Sequence, residues 1–288
     1  MENSNTPSEC ESEIHQEIQP QWPQKVWEFL SKLRQTSPLI QCITNFVSMD
    51  IVANTLLSAG ASPAMVHAAD EVADFTPQVH ALYINVGTLS DHWLAAMKRA
   101  AAIAAHNGKP WVLDPVAAGS SGFRLRACLD LVQLRPTVIR GNGSEIIALS
   151  RAAVGGTKGA DSMHDSVDAL EAAKSLAQSS SAIVAVSGAV DIVTDGQQVI
   201  GAYNGVPMMQ KVTATGCSVT ALIAAFVAVD PTHAFEATAS ALSTFGIAGE
   251  LGVHMAKGPA SLRVNLIDSL YGLDEETILG HAKISPLS

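Results

Sequence analysis

The chain has 288 residues, of which 48% are hydrophobic, 15% charged and 5% aromatic, and its net charge of -10 gives a pI near 5.3. This balance supports a substantial core built from Ala, Val, Ile and Leu, and it excludes general disorder. The acidic excess, with no cluster of Lys and Arg, excludes an extended nucleic-acid surface, and no apolar run is long enough to span a membrane.

Residues 1–22 carry Glu2, Glu9, Glu11, Glu13 and Glu17 with no Lys or Arg. That composition is wrong for a secretory or transit peptide, so a disordered acidic tail is expected there, followed by a single domain over 23–288. Cys10, Cys42, Cys128 and Cys217 form no CxxC pair. Neither a zinc site nor a redox motif is indicated, and a reducing, cytoplasmic setting is the simpler expectation.

In chain order, Val26, Leu30 and Leu33 lie at helical spacing and predict a first helix over 21–35. Residues 38–44 read as a strand ending at Asn45, and a helix from Met49 to Leu57 closes at Ala59-Gly60. Short strands follow at 62–66 and 81–86, the second ending in Gly87-Thr88. Ser90 is a good N-cap for a helix from Asp91 to His106. The strand at 110–113 ends in Asp114-Pro115, and that at 137–139 ends in Arg140-Gly141-Asn142-Gly143-Ser144-Glu145, which opens a short helix. A mobile loop is expected from Gly155 to Asp161 and a surface helix from Asp165 to Ala177. The strand at 182–186 leads to Ser187-Gly188. Residues 191–201 read as a hairpin around Asp195-Gly196. The remainder is helical, over 216–229, 231–254 and 260–270. There is no internal repeat. Strands alternating with helices predict an α/β fold with a mainly parallel sheet covered on both faces and an antiparallel edge.

Polar residues recur at strand C-termini, which fall along one rim of a parallel sheet. Asp114 and Glu145 either hold a hard cation together or serve as a turn cap and a first-turn helix carboxylate. Arg140 is either a fork donor to phosphate or a partner of Glu145. The loop Thr213-Ala214-Thr215-Gly216-Cys217 enters a helix that is apolar all round, so its free N–H groups suit an anion, or the small residues merely permit tight packing. Cys217 reads as packing, nucleophile or proton acceptor. A helix N-terminus stabilises thiolate, which favours a base.

Taken together, Ile43-Thr44-Asn45-Phe46-Val47, Ala53-Asn54-Thr55-Leu56-Leu57, Gly60-Ala61-Ser62-Pro63-Ala64-Met65, Leu113-Asp114-Pro115-Val116-Ala117-Ala118-Gly119, Arg140-Gly141-Asn142-Gly143-Ser144-Glu145-Ile146 and Ala214-Thr215-Gly216-Cys217 resemble the hydroxyethylthiazole kinases of thiamine salvage. The resemblance covers about residues 25–272 in order. It implies a ribokinase-like three-layer sandwich without a lid, a homotrimer with active sites between subunits, and transfer of the γ-phosphate of ATP to the hydroxyl of 4-methyl-5-(2-hydroxyethyl)thiazole. It also implies roles for individual residues. Asn45, Val47, Met65 and Gly87 would line the thiazole pocket with Ala214. Asp114 and Glu145 would organise Mg2+, and Arg140, Ser187 and Gly188 would contact ATP. Thr215 and Gly216 would cradle its phosphates, and Cys217 would accept the substrate proton.

Two residues depart from the family pattern. Ala214 stands where Gly is usual and strains the turn if φ is positive there, and Ser187 replaces a usual Thr but keeps the hydroxyl. Rival expectations are a hydroxymethylpyrimidine kinase, a dehydratase acting on hydrated NAD(P)H, or a catalytically silent ligand-binding relative. The motifs at 43–47 and 62–65 favour the thiazole enzyme.

Overall fold

The computed structural model describes residues 22–153 and 165–287. The expected loop at Gly155–Asp161 and the expected tail lie outside the described residues, except that Trp22 already opens the first helix and is buried. The elements run α1 (Trp22–Thr36), β1 (Leu39–Ile43), α2 (Met49–Ala59), β2 (Ser62–Ala64), α3 (Val72–Phe75), β3 (Ala81–Asn85), α4 (Asp91–His106), β4 (Trp111–Asp114), α5 (Gly122–Val132), β5 (Val138–Asn142), α6 (Gly143–Ala153) and α7 (Asp165–Ser180). They continue with β6 (Ile183–Ser187), β7 (Asp191–Thr194), β8 (Val199–Ala202), α8 (Thr215–Val229), α9 (Ala234–Met255), α10 (Pro259–Gly272), α11 (Glu275–His281) and β9 (Ile284–Pro286).

Local chemistry sets the boundaries. Ser90 caps α4 by accepting the Trp93 N–H through its hydroxyl, and Gly60, at φ 106, ends α2 in the left-handed conformation that glycine tolerates. Gly196, at φ 94, turns the β7–β8 hairpin. Four elements were not expected from the sequence, the first being α3, a single turn of 4 residues. Helix α5 has a short apolar stripe of Ala127, Cys128 and Leu131 behind its Ser121 cap, too brief to give a clear period. Helix α11 spans only 7 residues, and β9 carries a proline. Residues 231–233 form a separate 3-10 turn ahead of α9 rather than its first turn.

The strands form one sheet in the order β2-β1-β3-β4-β5-β6-β7-β8-β9. Strands β1 to β6 pair in parallel, while β7, β8 and β9 add an antiparallel end. Side chains alternate between faces along each strand. Ala81, Tyr83, Val112 and Val138 pack with α1, α2 and α8 to α11. Leu82, Ile84, Trp111, Leu113 and Ile139 pack with α4 to α7 on the opposite face. The result is three layers, as the alternation of strands and helices predicts.

The same two-residue period continues past the apolar run. Stepping from Tyr83 gives Asn85, from Val112 gives Asp114, and from Val138 gives Arg140, so all three polar residues end on the α8 face. Helix α8 is buried from Ser218 to Val227, between the sheet and helices α1, α2 and α9. Phe226 anchors it, fully buried with its ring centroid 6.3 Å from that of Phe29. Phe226→Ala is expected to cost about 3–5 kcal/mol, because the surrounding small residues cannot close the cavity. A drop in the urea midpoint at unchanged slope is the measurement, and a loss below about 1 kcal/mol would show that α8 is not the packing centre.

Candidate active site

The strand order reverses between β1 and β3, which places a crevice at their C-terminal ends. Asn45, just beyond β1, and Asn85, the last residue of β3, face each other across it. Asn45 is buried and its Oδ1 accepts the N–H groups of Val47 and Ser48, each at 3.0 Å, which starts the turn into α2. Its Nδ2 therefore points inward, donating to Asn85 Oδ1 at 2.7 Å and lying 3.5 Å from Cys217 Sγ. Gly87 has to be glycine here, since a Cβ would meet Asn45 Nδ2 at 2.6 Å.

Asp114 is 1% exposed at the end of β4. Its Oδ2 accepts from Asn85 Nδ2 at 2.8 Å and lies 3.0 Å from the Thr220 hydroxyl and 3.4 Å from that of Tyr83. Among the described residues no donor falls on Oδ1. Burial lifts its pKa to about 6, against the pull of Arg140 and with a further push from Glu145. Glu145 makes a reciprocal helix start: its Oε2 accepts the Asn142 N–H at 2.8 Å while Asn142 Oδ1 accepts the Glu145 N–H at 2.9 Å. The other oxygen, Oε1, accepts the N–H of Ala117 at 2.8 Å. Of the two expected readings of Glu145, these bonds describe the first-turn helix carboxylate, and the same group places negative charge near Asp114.

Arg140 is 9% exposed and donates through Nη2 to the Ser187 hydroxyl rather than pairing with Glu145. Among the described residues its Nε has no hydrogen-bond partner. Nη1 lies against the first turn of α8, where a Cβ on Gly216 would sit 2.8 Å from it. Gly188 spends its N–H on Asp191 Oδ1 at 3.0 Å, so that N–H is not free for a ligand.

Helix α8 opens at Ala214, whose φ of 65 and ψ of 14 are left-handed, so the strain expected of alanine in place of glycine is real. No side chain caps the helix, and the first intrahelical donor is Ser218 N–H to Ala214 O. The Thr215 hydroxyl turns back onto the Met209 and Val212 carbonyls, each at 3.2 Å, leaving its N–H as what it offers outward. Cys217 is half-buried, with Asn85 Nδ2 at 3.3 Å and Asn45 Nδ2 at 3.5 Å from its sulfur. The expectation of a thiolate stabilised by the helix end needs correction. Burial raises the Cys217 pKa, the Asp114 charge raises it further, and the asparagine amides only partly offset this.

Met65 packs partly buried against the core, and the ring of His67, two residues on, lies 5.0 Å from that of Trp93. Trp93 in turn meets Phe46 at 4.8 Å. Phe46 and Val47 are 71% and 62% exposed. The crevice thus gathers Asn45, Gly87, Asp114, Arg140, Ser187, Gly216 and Cys217, whereas Val47 points its side chain to solvent. Asn85, Tyr83 and Thr220 were not singled out from the sequence. A terminal Asn in the otherwise apolar strand Ala81-Leu82-Tyr83-Ile84-Asn85 was the available signal for the first. Thr220, three residues after Cys217 on the same helix, was the signal for the last.

Comparison with known proteins gives a consistent picture. The model of the hydroxyethylthiazole kinase family matches residues 30–276. A hydroxyethylthiazole kinase of Arabidopsis thaliana is 66% identical over 269 residues, covering 93% of this chain and 98% of that protein. The structure of a hydroxyethylthiazole kinase protein from Pyrococcus horikoshii superposes with a TM-score of 0.86 at 41% identity, covering 92% of this chain and all of the other. A ribokinase-like superfamily protein from Enterococcus faecalis, at 13% identity and a TM-score of 0.61 over 87% of this chain and 94% of its own, shares the fold.

Ala214→Gly is expected to stabilise the chain by about 0.5–1 kcal/mol, because relief of left-handed strain exceeds the entropy that glycine adds to the unfolded state. Chemical denaturation measures this, and an unchanged or lowered midpoint would mean the turn carries no strain.

Proposed function

The chain belongs to the hydroxyethylthiazole kinase family, and on that premise we propose roles for the residues of its β1–β3 crevice. The enzyme phosphorylates the hydroxyl of hydroxyethylthiazole, a step of thiamine biosynthesis. The observation that carries the residue assignment is the meeting of Asn45, Asp114 and Cys217 at the N-terminus of α8, with Arg140 against the same helix turn.

In this reading the thiazole lies between Asn45, Val47, Met65, Gly87 and Ala214, with its hydroxyl at Cys217. ATP lies on the β5–β6 side, where Arg140, Ser187 and Gly188 meet it and the N–H groups of Thr215, Gly216 and Cys217 face its phosphates. The unpartnered, buried Nε of Arg140 supports an anion there, since an orphaned donor is costly without a ligand. A divalent cation fits the carboxylates present: all three polar neighbours of Asp114 converge on Oδ2 and leave Oδ1 to a hard ion or its water. Asp114 and Glu145 would hold Mg2+, which when bound neutralises charge on the phosphate oxygens.

Phosphoryl transfer depends on alignment and charge stabilisation more than on covalent work. Arg140 and the α8 N–H groups stabilise charge on the phosphoryl oxygens. The thiolate form of Cys217, a minor fraction at neutral pH, takes the alcohol proton late, once bond formation to phosphorus has acidified it, and leaves the neutral thiol. The exposed Phe46 and Val47 beside the crevice support a homotrimer in which a second copy covers the pocket. Cys42, Cys128 and Cys217, which form no disulfide among the described residues, support a reducing, cytoplasmic location.

Three outcomes follow. ADP release from ATP with Mg2+ should be stimulated by hydroxyethylthiazole and not by hydroxymethylpyrimidine; stimulation by the pyrimidine alone would overturn the pocket assignment. Cys217→Ser should lower turnover about 10²-fold with little change in thiazole binding, and Cys217→Asp should preserve it. Because the raised Cys217 pKa keeps the thiolate scarce at neutrality, turnover should climb with pH from neutral into the alkaline range, and Cys217→Asp should flatten that climb. A wild-type profile already flat across neutrality would remove Cys217 from the role of base.

A further inference from the structure

Asn85 makes side-chain contacts with Asn45, Tyr83, Gly87, Asp114 and Cys217. Its orientation is set by chemistry: the Gly87 N–H, a donor only, lies 2.9 Å from Oδ1, so the oxygen has to face that way. Asn45 is fixed likewise, because its Oδ1 takes two backbone N–H groups at the start of α2. The Asn45 amide therefore donates to Asn85 Oδ1, and Asn85 Nδ2 is left facing Asp114 Oδ2 at 2.8 Å, Cys217 Sγ at 3.3 Å and the Tyr83 hydroxyl at 3.0 Å. One fully buried amide thus joins the ends of β1, β3 and β4 to the first turn of α8.

We propose that Asn85 is a positioning residue for phosphoryl transfer, holding the Cys217 sulfur in register with Asp114 and Asn45. It needs an acceptor on one side and two donors on the other within a single short side chain. Aspartate has the shape without the donors and would set an oxygen against the Asp114 carboxylate, and serine cannot span the gap. With the amides of Asn45 and Asn85 both directed at the sulfur, its position does not depend on the substrate. Thr220 supports Asp114 from α8 as well, but it lies 3.0 Å from Asp114 Oδ2 and 2.9 Å from the Gly216 carbonyl and makes no hydrogen bond to Cys217. It is the natural control.

The inference rests on the reading of Cys217 given above, and a double-mutant cycle separates the two. Asn85→Ala should lower kcat about 10²-fold, the scale of a misplaced reacting group, and leave ATP affinity, measured without Mg2+ because Asn85 also donates to Asp114, within about threefold, since neither Arg140 nor Ser187 is among its partners. In a Cys217→Ser background, Asn85→Ala should cost less than about threefold more, because residues acting as a unit are not additive. Thr220→Val in the same background should keep its full separate effect. If Cys217→Ser alone retained full turnover, the reading of Cys217 would fail. If Cys217→Ser were impaired and Asn85→Ala multiplied that loss in full, or if ATP affinity fell in step with kcat, Asn85 would be a structural residue and the proposal would be overturned. Asn85→Asp carries the same comparison if the alanine variant does not fold, with thermal denaturation reporting the folded state of each.

Discussion

The architecture depends on burying α8 completely. A helix with no wet face has to lie between the sheet and the outer helices, and its two ends are then the only places where its backbone meets anything polar. Its C-terminus ends at Asp230-Pro231. Its N-terminus falls at the carboxyl rim of the strands, where the chain order changes direction. The uncapped N–H groups of α8 and the polar ends of β1, β3, β4 and β5 are brought to one place by packing alone, and the site is a by-product of where the apolar residues go.

Face alternation does the rest. Apolar side chains on the α8 face of each strand give way, two residues on, to Asn85, Asp114 and Arg140, and the change from apolar to polar marks where helix cover ends. Buried polar groups of this kind are tolerable only when satisfied, and Asp114 and Asn85 are satisfied mostly by each other and by Thr220, Tyr83 and Gly87. The network has an electrostatic cost. Asp114 and Cys217 are both driven toward their neutral forms, so the negative charge needed in the reaction is held against burial by a few directed N–H groups. Arg140 compensates from β5, with Gly216 the one position on α8 where absence of a Cβ lets the guanidinium close in.

Much of this was legible in the sequence. Turn and cap residues such as Ser90, Gly60 and Asp195-Gly196 carry their own conformational preference, so they marked element ends correctly. The rim residues were legible because polar groups at the ends of apolar strands have few other uses. Helix α5 was not legible, because its buried stripe is three residues long and most of its stability comes from packing. Glu145 and Thr215 were expected as site residues, but how far local backbone occupies them depends on hydrogen bonds that no linear pattern displays. The direction of the Cys217 pKa shift was not legible for a related reason: the helix end is visible in sequence, whereas depth of burial and the nearness of Asp114 exist only after folding. Asn85 was overlooked because a lone Asn at a strand end reads as a turn residue until the neighbouring strands supply its partners.

Both borders of the sheet are closed in the same way. The outermost strands, β2 and β9, are three residues each, and each contains a proline, Pro63 and Pro286. A border strand that short, with one amide proton missing, offers almost no ladder for a foreign strand to extend. Copies of the chain are therefore poorly suited to join by continuing their sheets into a shared ribbon. Any contact between copies would then have to use helical surfaces or the rim instead of the sheet borders.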